Sequence, residues 1–190
     1  MTNVTIFGTG NMGTAIASVL ASGGASVNHI DTDAPGSVTG DVVILAVPYA
    51  ALTAITSTYA DQLAGKIVVE TTNPLDFSTF DSLVVPVGSS ATAELAAALP
   101  SSKVLKGFNT TFAATLSTKK VGDATTAVLL AGDDADAEAT VAGLITAGGV
   151  KAIDAGSLGR AHELEALGFL QLTLAAAEKT SWTSGFALAE

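Results

Sequence analysis

A doubly wound α/β fold is what this sequence predicts, and three observations carry the prediction. Short β-rich runs alternate with helical stretches along the whole chain. The run Val42–Val47 is continuously apolar, as a strand buried on both faces of a parallel sheet reads. The first run, Val4–Phe7, breaks into a glycine-rich turn that opens a helix.

Taken in order, Val4–Phe7 is a strand ending at Gly8, and Ala15 to Leu20 is helical up to Gly23–Gly24. Val27–Ile30 is the second strand and ends at Asp31. The segment Thr32–Gly40 is rich in Pro and Gly and too short for a full crossover helix. Val42–Val47 follows, bounded by Asp41 and Pro48, and then a helix over Ala50–Leu63 closed by Gly65. Lys66–Glu70 is a strand that runs into Thr71-Thr72-Asn73-Pro74, and Leu75–Ser90 has mixed loop character. A short helix over Thr92–Leu99 stops at Pro100. Lys103–Phe108 is a strand opening into Asn109-Thr110-Thr111-Phe112. Thr126–Ala131 is another, Asp133-Asp134 lead a helix to about Ala147, and Val150–Asp154 is the last strand. Leu158 to about Lys179 reads as one long helix. The expected organisation is an α/β domain over 1–156 and a C-terminal helix and tail over 157–190.

Composition narrows the function classes. Of 190 residues, 48% are apolar and 14% charged, which excludes a disordered or collagen-like chain. Eight basic against 18 acidic residues give a net charge of −10, a surface that repels nucleic acid and anionic lipid. With no cysteine and only His29 and His162, no disulfide framework, thiol nucleophile or metal site is expected. No apolar run approaches the roughly 18 residues of a membrane span, and no signal peptide is legible, so a cytoplasmic location is the expectation.

The strongest motif is Gly8-Thr9-Gly10-Asn11-Met12-Gly13. Glycine spacing alone is a weak signal, but here it follows a strand and opens a helix, as a dinucleotide fingerprint requires. Gly8 permits the tight turn, Gly10 lets backbone approach a pyrophosphate, and Gly13 lets helix and strand pack closely. The N–H groups near Asn11 and Met12 and the positive end of the helix dipole would hold the phosphates. Asp31, 18 residues after Gly13, stands where an acidic side chain accepts from the adenosine ribose hydroxyls and repels a 2′-phosphate. Asp33 adds negative charge, and no Arg or Lys lies between Gly8 and Lys66, which favours NAD(H); both aspartates also fit ordinary turn positions. Ala46-Val47-Pro48-Tyr49 should pass under the adenosine and pyrophosphate. Thr72-Asn73-Pro74 should sit near the nicotinamide, and Asn109-Thr110-Thr111 should face the substrate. Asn73 and Asn109 read equally as structural turn residues.

GTGNMG at 8–13, AVPY at 46–49, TNPLDF at 72–77, KGFNTTFA at 106–113 and DAGSLGRAHELEALGFLQLTLA at 154–175 together resemble the NADP oxidoreductases dependent on the deazaflavin coenzyme F-420, in their short bacterial form. The resemblance covers nearly the whole chain. It implies a Rossmann-type sheet followed by a small helical part, and hydride transfer between a nicotinamide and a flavin-like ring. It implies that Thr9, Asn11 and Met12 touch the pyrophosphate and that Pro48, Asn73 and Pro74 line the nicotinamide side. It favours NADP(H). The family carries Ser or Thr and then Arg or Lys after the second strand, where this chain has Asp31-Thr32-Asp33.

Candidate proton donors are few. His29 lies in a strand away from the nicotinamide edge, Arg160 and His162 start the last helix, and Tyr49 reads as flanking the cofactor. No Tyr-x-x-x-Lys pair exists. A conjugated, flavin-like acceptor takes up the electrons in its own ring and needs positioning more than an acid, so no dedicated catalytic side chain is expected. The alternatives are reduction of a small carbonyl or imine with His162 or water as acid, and a sensor domain that binds nicotinamide without turnover. The last helix, apolar around most of its circumference, should be buried, either on its own sheet or in a homodimer.

Overall fold

The structure is a computed structural model that describes residues 1–31 and 36–188. Thr32 and Asp33 of the expected ribose-side turn lie outside the described residues. Seven strands form the central sheet: β1 (Asn3–Phe7), β2 (Ser26–Ile30), β3 (Val42–Leu45), β4 (Ile67–Glu70), β5 (Lys103–Lys106), β8 (Ala127–Gly132) and β9 (Lys151–Asp154), in the order β2-β1-β3-β4-β5-β8-β9. A separate two-stranded ribbon pairs β6 (Lys120–Val121) with β7 (Ala124–Thr125). The helices are α1 (Asn11–Ser22), α2 (Leu52–Leu63), α3 (Ala91–Ala98), α4 (Ala113–Thr118), α5 (Ala135–Ala147) and α6 (Ala161–Ala176). The fold is α/β and Rossmann-like, with a C-terminal helix, as the sequence predicts.

The strand VVIL shows how the sequence builds the layers. All four side chains are buried. Val42 and Ile44 join one core, with Ile16 and Val19 of α1 and Val141 and Ile145 of α5. Val43 and Leu45 join the other, with Ile55, Tyr59 and Leu63 of α2 and Leu95 of α3. Period-2 alternation on a strand clad on both faces leaves no solvent side, hence the unbroken apolar run.

The structure departs from the sequence reading in three places. The sheet is not parallel throughout, because β5 and β8 pair antiparallel. The chain between them spends its residues on the short helix α4 and the ribbon, and a parallel return needs a crossover across the sheet face. Val42–Val47 and Lys103–Phe108 end as strands at Leu45 and Lys106. Phe108 has φ 65°, a left-handed conformation that strand geometry does not allow. The last helix is preceded by a 3₁₀ turn, Leu158–Arg160, and its inward stripe is not the leucine-rich one of the apolar reading. Leu164, Glu165, Gly168, Gln171 and Ala175 face inward, while Leu167, Phe169, Leu172 and Leu174 are half-buried and Leu170 is 49% exposed.

Candidate functional site

The C-terminal ends of β1, β3, β4 and β5 form one edge of the sheet, and the expected site residues that fall among the described residues lie along it. Gly8 has φ 108°, and a Cβ there would collide with the Ala46 carbonyl at the end of β3. A Cβ at Gly13 would collide with the Gly8 carbonyl. Both glycines are therefore demanded by the fold itself. Gly10 is different: a Cβ there meets nothing within 4 Å. Gly10 precedes α1 with φ −73°, no side chain caps the helix, and its first turn holds no acid. By contrast, Ser90 and Asp134 cap α3 and α5. The first N–H groups of α1 are thus unclaimed by any cap, beside the exposed Thr9 and Asn11 and the half-buried Met12. His29 Nδ1–H donates to Gly8 O at 2.9 Å and braces the turn, a structural role.

On the β2 side, exposed Asp31 stands at the mouth of a slot walled by Phe7, Ala51, Ile55, Thr58 and Tyr59. Phe7 and Tyr59 stack edge to face at 4.9 Å. Val47 is buried and Pro48 exposed. Tyr49 Oη donates to Glu94 Oε2 at 2.5 Å. That hydrogen bond, burial, and the charges of Glu94, Glu165 and Glu70 push the Tyr49 phenol up to about 12. Tyr49 therefore stays protonated and committed to Glu94.

Further along the edge, the amides of Asn73 and Asn109 interlock. Asn73 Nδ2 donates to Asn109 O at 2.8 Å; Asn109 Nδ2 donates to Asn73 Oδ1 at 2.9 Å and to Leu164 O of α6 at 2.8 Å. Beside them Thr72 and Pro74 are buried. Two buried atoms of this cluster, Thr72 Oγ1 and Asn109 Oδ1, have no hydrogen-bond partner. Gly168 packs against the Asn73 side chain so closely that a Cβ would fall on its amide. Alanine normally stabilises a helix interior over glycine by roughly 0.5–1 kcal/mol. Here Gly168→Ala is expected to lower stability by about 1–3 kcal/mol, since Asn73 must leave a paired position. A denaturation midpoint equal to or above that of the unchanged protein would show that the packing is loose.

Behind that cluster lies a group that sequence reasoning missed. Lys106, Glu70 and Glu165 are each fully buried. Lys106 Nζ donates to Glu70 Oε2 at 2.6 Å, to Glu165 Oε1 at 2.9 Å and to Thr72 O at 2.6 Å. Glu70 Oε1 accepts from the Thr72 N–H, and Glu70 Oε2 also accepts from Thr92 Oγ1 at 2.7 Å. Glu165 Oε2 accepts from the Ala91 N–H at 3.1 Å. Burial pushes the Glu165 carboxyl above its ordinary range, and Lys106 pulls the other way. The hydrogen-bond partners of the two carboxyls are all donors (Lys106 Nζ, Thr92 Oγ1 and the Thr72 and Ala91 N–H groups), while the charge of Glu70 adds to burial in pushing Glu165 up. Glu70 and Lys106 stand opposite one another in the β4–β5 register. The available signal was a charge closing each of two neighbouring apolar strands, Glu70 and Lys106, and Glu165 within an apolar helix.

The other candidates lie elsewhere. Arg160 pairs with Glu163 at 3.0 Å on the surface, and His162 Nδ1–H donates to Ser89 O at 3.0 Å. Neither joins the Asn73–Asn109 cluster. Among the described residues, no group of His, Cys, Asp and Glu is arranged to hold a metal, and no helix is long and apolar enough to cross a membrane.

No family model matches the chain. Over 108 residues it is 36% identical to Metalloreductase STEAP3 of Rattus norvegicus, a match that takes in 57% of this chain and 21% of that protein, so the chain spans about a fifth of its curated relative. Among solved structures, it superposes with a TM-score of 0.86 and 27% identity on a candidate F-420-dependent NADP-reductase from Arthrobacter sp. FB24, over 100% of both chains. The hypothetical protein SMa0349 from Sinorhizobium meliloti is 31% identical, with a TM-score of 0.71, over 83% of this chain and 86% of that one. In fold, in the layout of this edge and over its whole length the chain is similar to that NADP-reductase, and these likenesses support an oxidoreductase.

Proposed function

We propose that the chain holds a nicotinamide dinucleotide across the C-terminal edge of its sheet and delivers hydride from it to a flavin-like acceptor, a flavin or deazaflavin. The observation that carries this reading is the pairing of an open, uncapped helix start above Gly10 with two orphaned buried atoms, Thr72 Oγ1 and Asn109 Oδ1, farther along the same edge. The residues present fit the group. Gly8, Thr9, Gly10, Asn11, Met12 and Gly13 cradle the pyrophosphate, and Ala46, Val47, Pro48 and Tyr49 floor it. Asp31 and the slot beside Phe7 and Ile55 take the adenosine. Thr72, Asn73, Pro74 and Asn109 line the nicotinamide side, where a hydroxyl donor and an amide acceptor match a carboxamide.

The bound dinucleotide supplies the hydride; the chain supplies position and exclusion of water. The titratable groups support the choice of acceptor. Tyr49, His162 and Arg160 are engaged away from the Asn73–Asn109 cluster, so among the described residues none of these three serves there as an acid. Residues 1–156 form the dinucleotide domain in this reading, and 157–190 close the acceptor side. A cytoplasmic location goes with it. The outward leucines of α6, with Trp182 and Phe186 each about half exposed, favour a homodimer; light scattering that finds only monomer at micromolar concentration would exclude it. The test of function is single-turnover absorbance at the reduced-nicotinamide band. Oxidation on adding free flavin or deazaflavin is expected. Oxidation only by carbonyls or imines, or tight binding with no oxidation, would replace this reading.

NADH is expected to bind more tightly than NADPH. A 2′-phosphate brings close to two negative charges beside Asp31. Lys66, the nearest cation in sequence, donates to Gly40 O at 2.6 Å. A carboxylate–diol contact is worth about 1.5–3 kcal/mol, or one to two decades of affinity. Paired dissociation constants measure it, and Asp31→Ser with Asp33→Arg should reverse the order. A clear preference for NADPH would mean that Asp31 does not meet the ribose.

A further inference from the structure

Lys106, Glu70 and Glu165 carry one positive and two negative charges in a space with no exposure, so the buried network bears a net charge of −1. Its protein neighbours offset that charge only in part. Thr92 Oγ1 and the Thr72 and Ala91 N–H groups donate to it, and the last of these brings the positive end of the α3 dipole. Burial prevents water from screening the remainder. The network is not remote from the edge: Thr72 is held through both its backbone N–H and its carbonyl, and it directly precedes Asn73.

We propose that this uncompensated buried charge sets the redox-state preference of the site, favouring the oxidised nicotinamide ring, which is cationic, over the reduced ring, which is neutral. The proposal rests on the dinucleotide reading above and concerns Glu70 and Glu165, to which that reading gives no role. Loss of hydride, two electrons and one proton's nucleus, leaves the ring with a positive charge that it did not carry before. A fixed anion beneath the edge stabilises that charge as it develops, so the chain is biased toward donating hydride to its acceptor. The field reaches beyond the network: the charges of Glu165 and Glu70 both contribute to raising the Tyr49 phenol at the end of β3. One such charge, acting through protein rather than water and reduced by the α3 dipole, changes the affinity for a cationic ring about ten-fold. In this role Glu165 and Glu70 are positioning and electrostatic residues; neither touches the reacting atoms.

The experiment is equilibrium binding of the oxidised and reduced dinucleotide to the whole chain, by calorimetry, with no acceptor present. In the unchanged protein the oxidised form is expected to bind at least as tightly as the reduced form. In Glu165→Gln, and independently in Glu70→Gln, the oxidised form is expected to weaken about ten-fold relative to the reduced form, with a circular-dichroism spectrum confirming the fold. A merely structural role would weaken both forms alike and leave their ratio unchanged, which would overturn the proposal. Should neither variant fold, the unchanged protein still decides: a reduced form bound ten-fold more tightly than the oxidised form overturns it. Failure of the unchanged protein to bind either form would instead remove the dinucleotide reading itself.

Discussion

Gly10→Val is expected to abolish dinucleotide binding while the protein still folds. The two halves of that outcome have separate causes. A Cβ at Gly10 meets no atom of the chain within 4 Å, and its φ of −73° is open to any residue, so valine fits without strain. The space it enters is the space over the uncapped start of α1, where a pyrophosphate would lie against free N–H groups. Two charge-assisted bonds at about 1.5–3 kcal/mol each put the loss at more than about a hundred-fold. Gly8→Ala and Gly13→Ala provide the contrast, since each drives a Cβ into a backbone carbonyl and should lose fold and binding together. Calorimetry with a parallel thermal melt separates these outcomes. Unchanged affinity in a folded Gly10→Val protein would place the site elsewhere.

That glycine turn was legible because it is local: a strand, three glycines and a helix within one stretch of chain. The strands were legible for the same reason, since burial on both faces writes itself as an unbroken apolar run such as VVIL. What escaped were features set by partners distant in sequence. The antiparallel β8 depends on where α4 and the ribbon leave the chain, which no periodicity encodes. The last helix misled more directly. Its leucines suggest an apolar core, yet Glu165, Gly168 and Gln171 turn inward. The stripe Ala161, Leu164, Glu165, Gly168, Gln171, Ala175 has helical spacing, but Leu164 is the one large apolar side chain in it, so apolar scoring passes over it. Glu165 faces inward because Lys106 is there, and Gly168 because Asn73 is there. Asn73 and Asn109 each follow a strand on one edge of the sheet, but the interlocking of their amides, 36 residues apart, is written in no local pattern. The bond of Tyr49 to Glu94, 45 residues away, is likewise a pairing that local sequence does not mark.

Lys106→Met is expected to cost roughly 3–5 kcal/mol, the usual penalty for breaking a buried ion pair from one side, out of the roughly 5–15 kcal/mol that hold a domain together. The side chain it removes is the cation paired with two fully buried glutamates, and it ties Thr72 O to them. Methionine fills much of the volume and returns none of the charge. The loss should also depend on pH with a definite sign. Burial already holds the Glu165 carboxyl above its ordinary value of 4.5, against the pull of Lys106, and removing Lys106 leaves burial unopposed. A carboxyl raised in the folded state contributes stability that is complete below its unfolded value and is lost as pH rises through its folded value. The deficit of the variant should therefore be smallest near pH 4 and widen from there toward neutral pH. Denaturation midpoints at pH 5 and pH 8 read it directly, and a deficit equal at both would mean that the lysine contributes packing alone. The companion triple change, Glu70→Leu with Lys106→Met and Glu165→Leu, removes every charge at once and should recover most of the lost stability. If the triple variant is no more stable than Lys106→Met, the damage comes from the lost hydrogen bonds to Thr72 and α3 rather than from uncompensated charge.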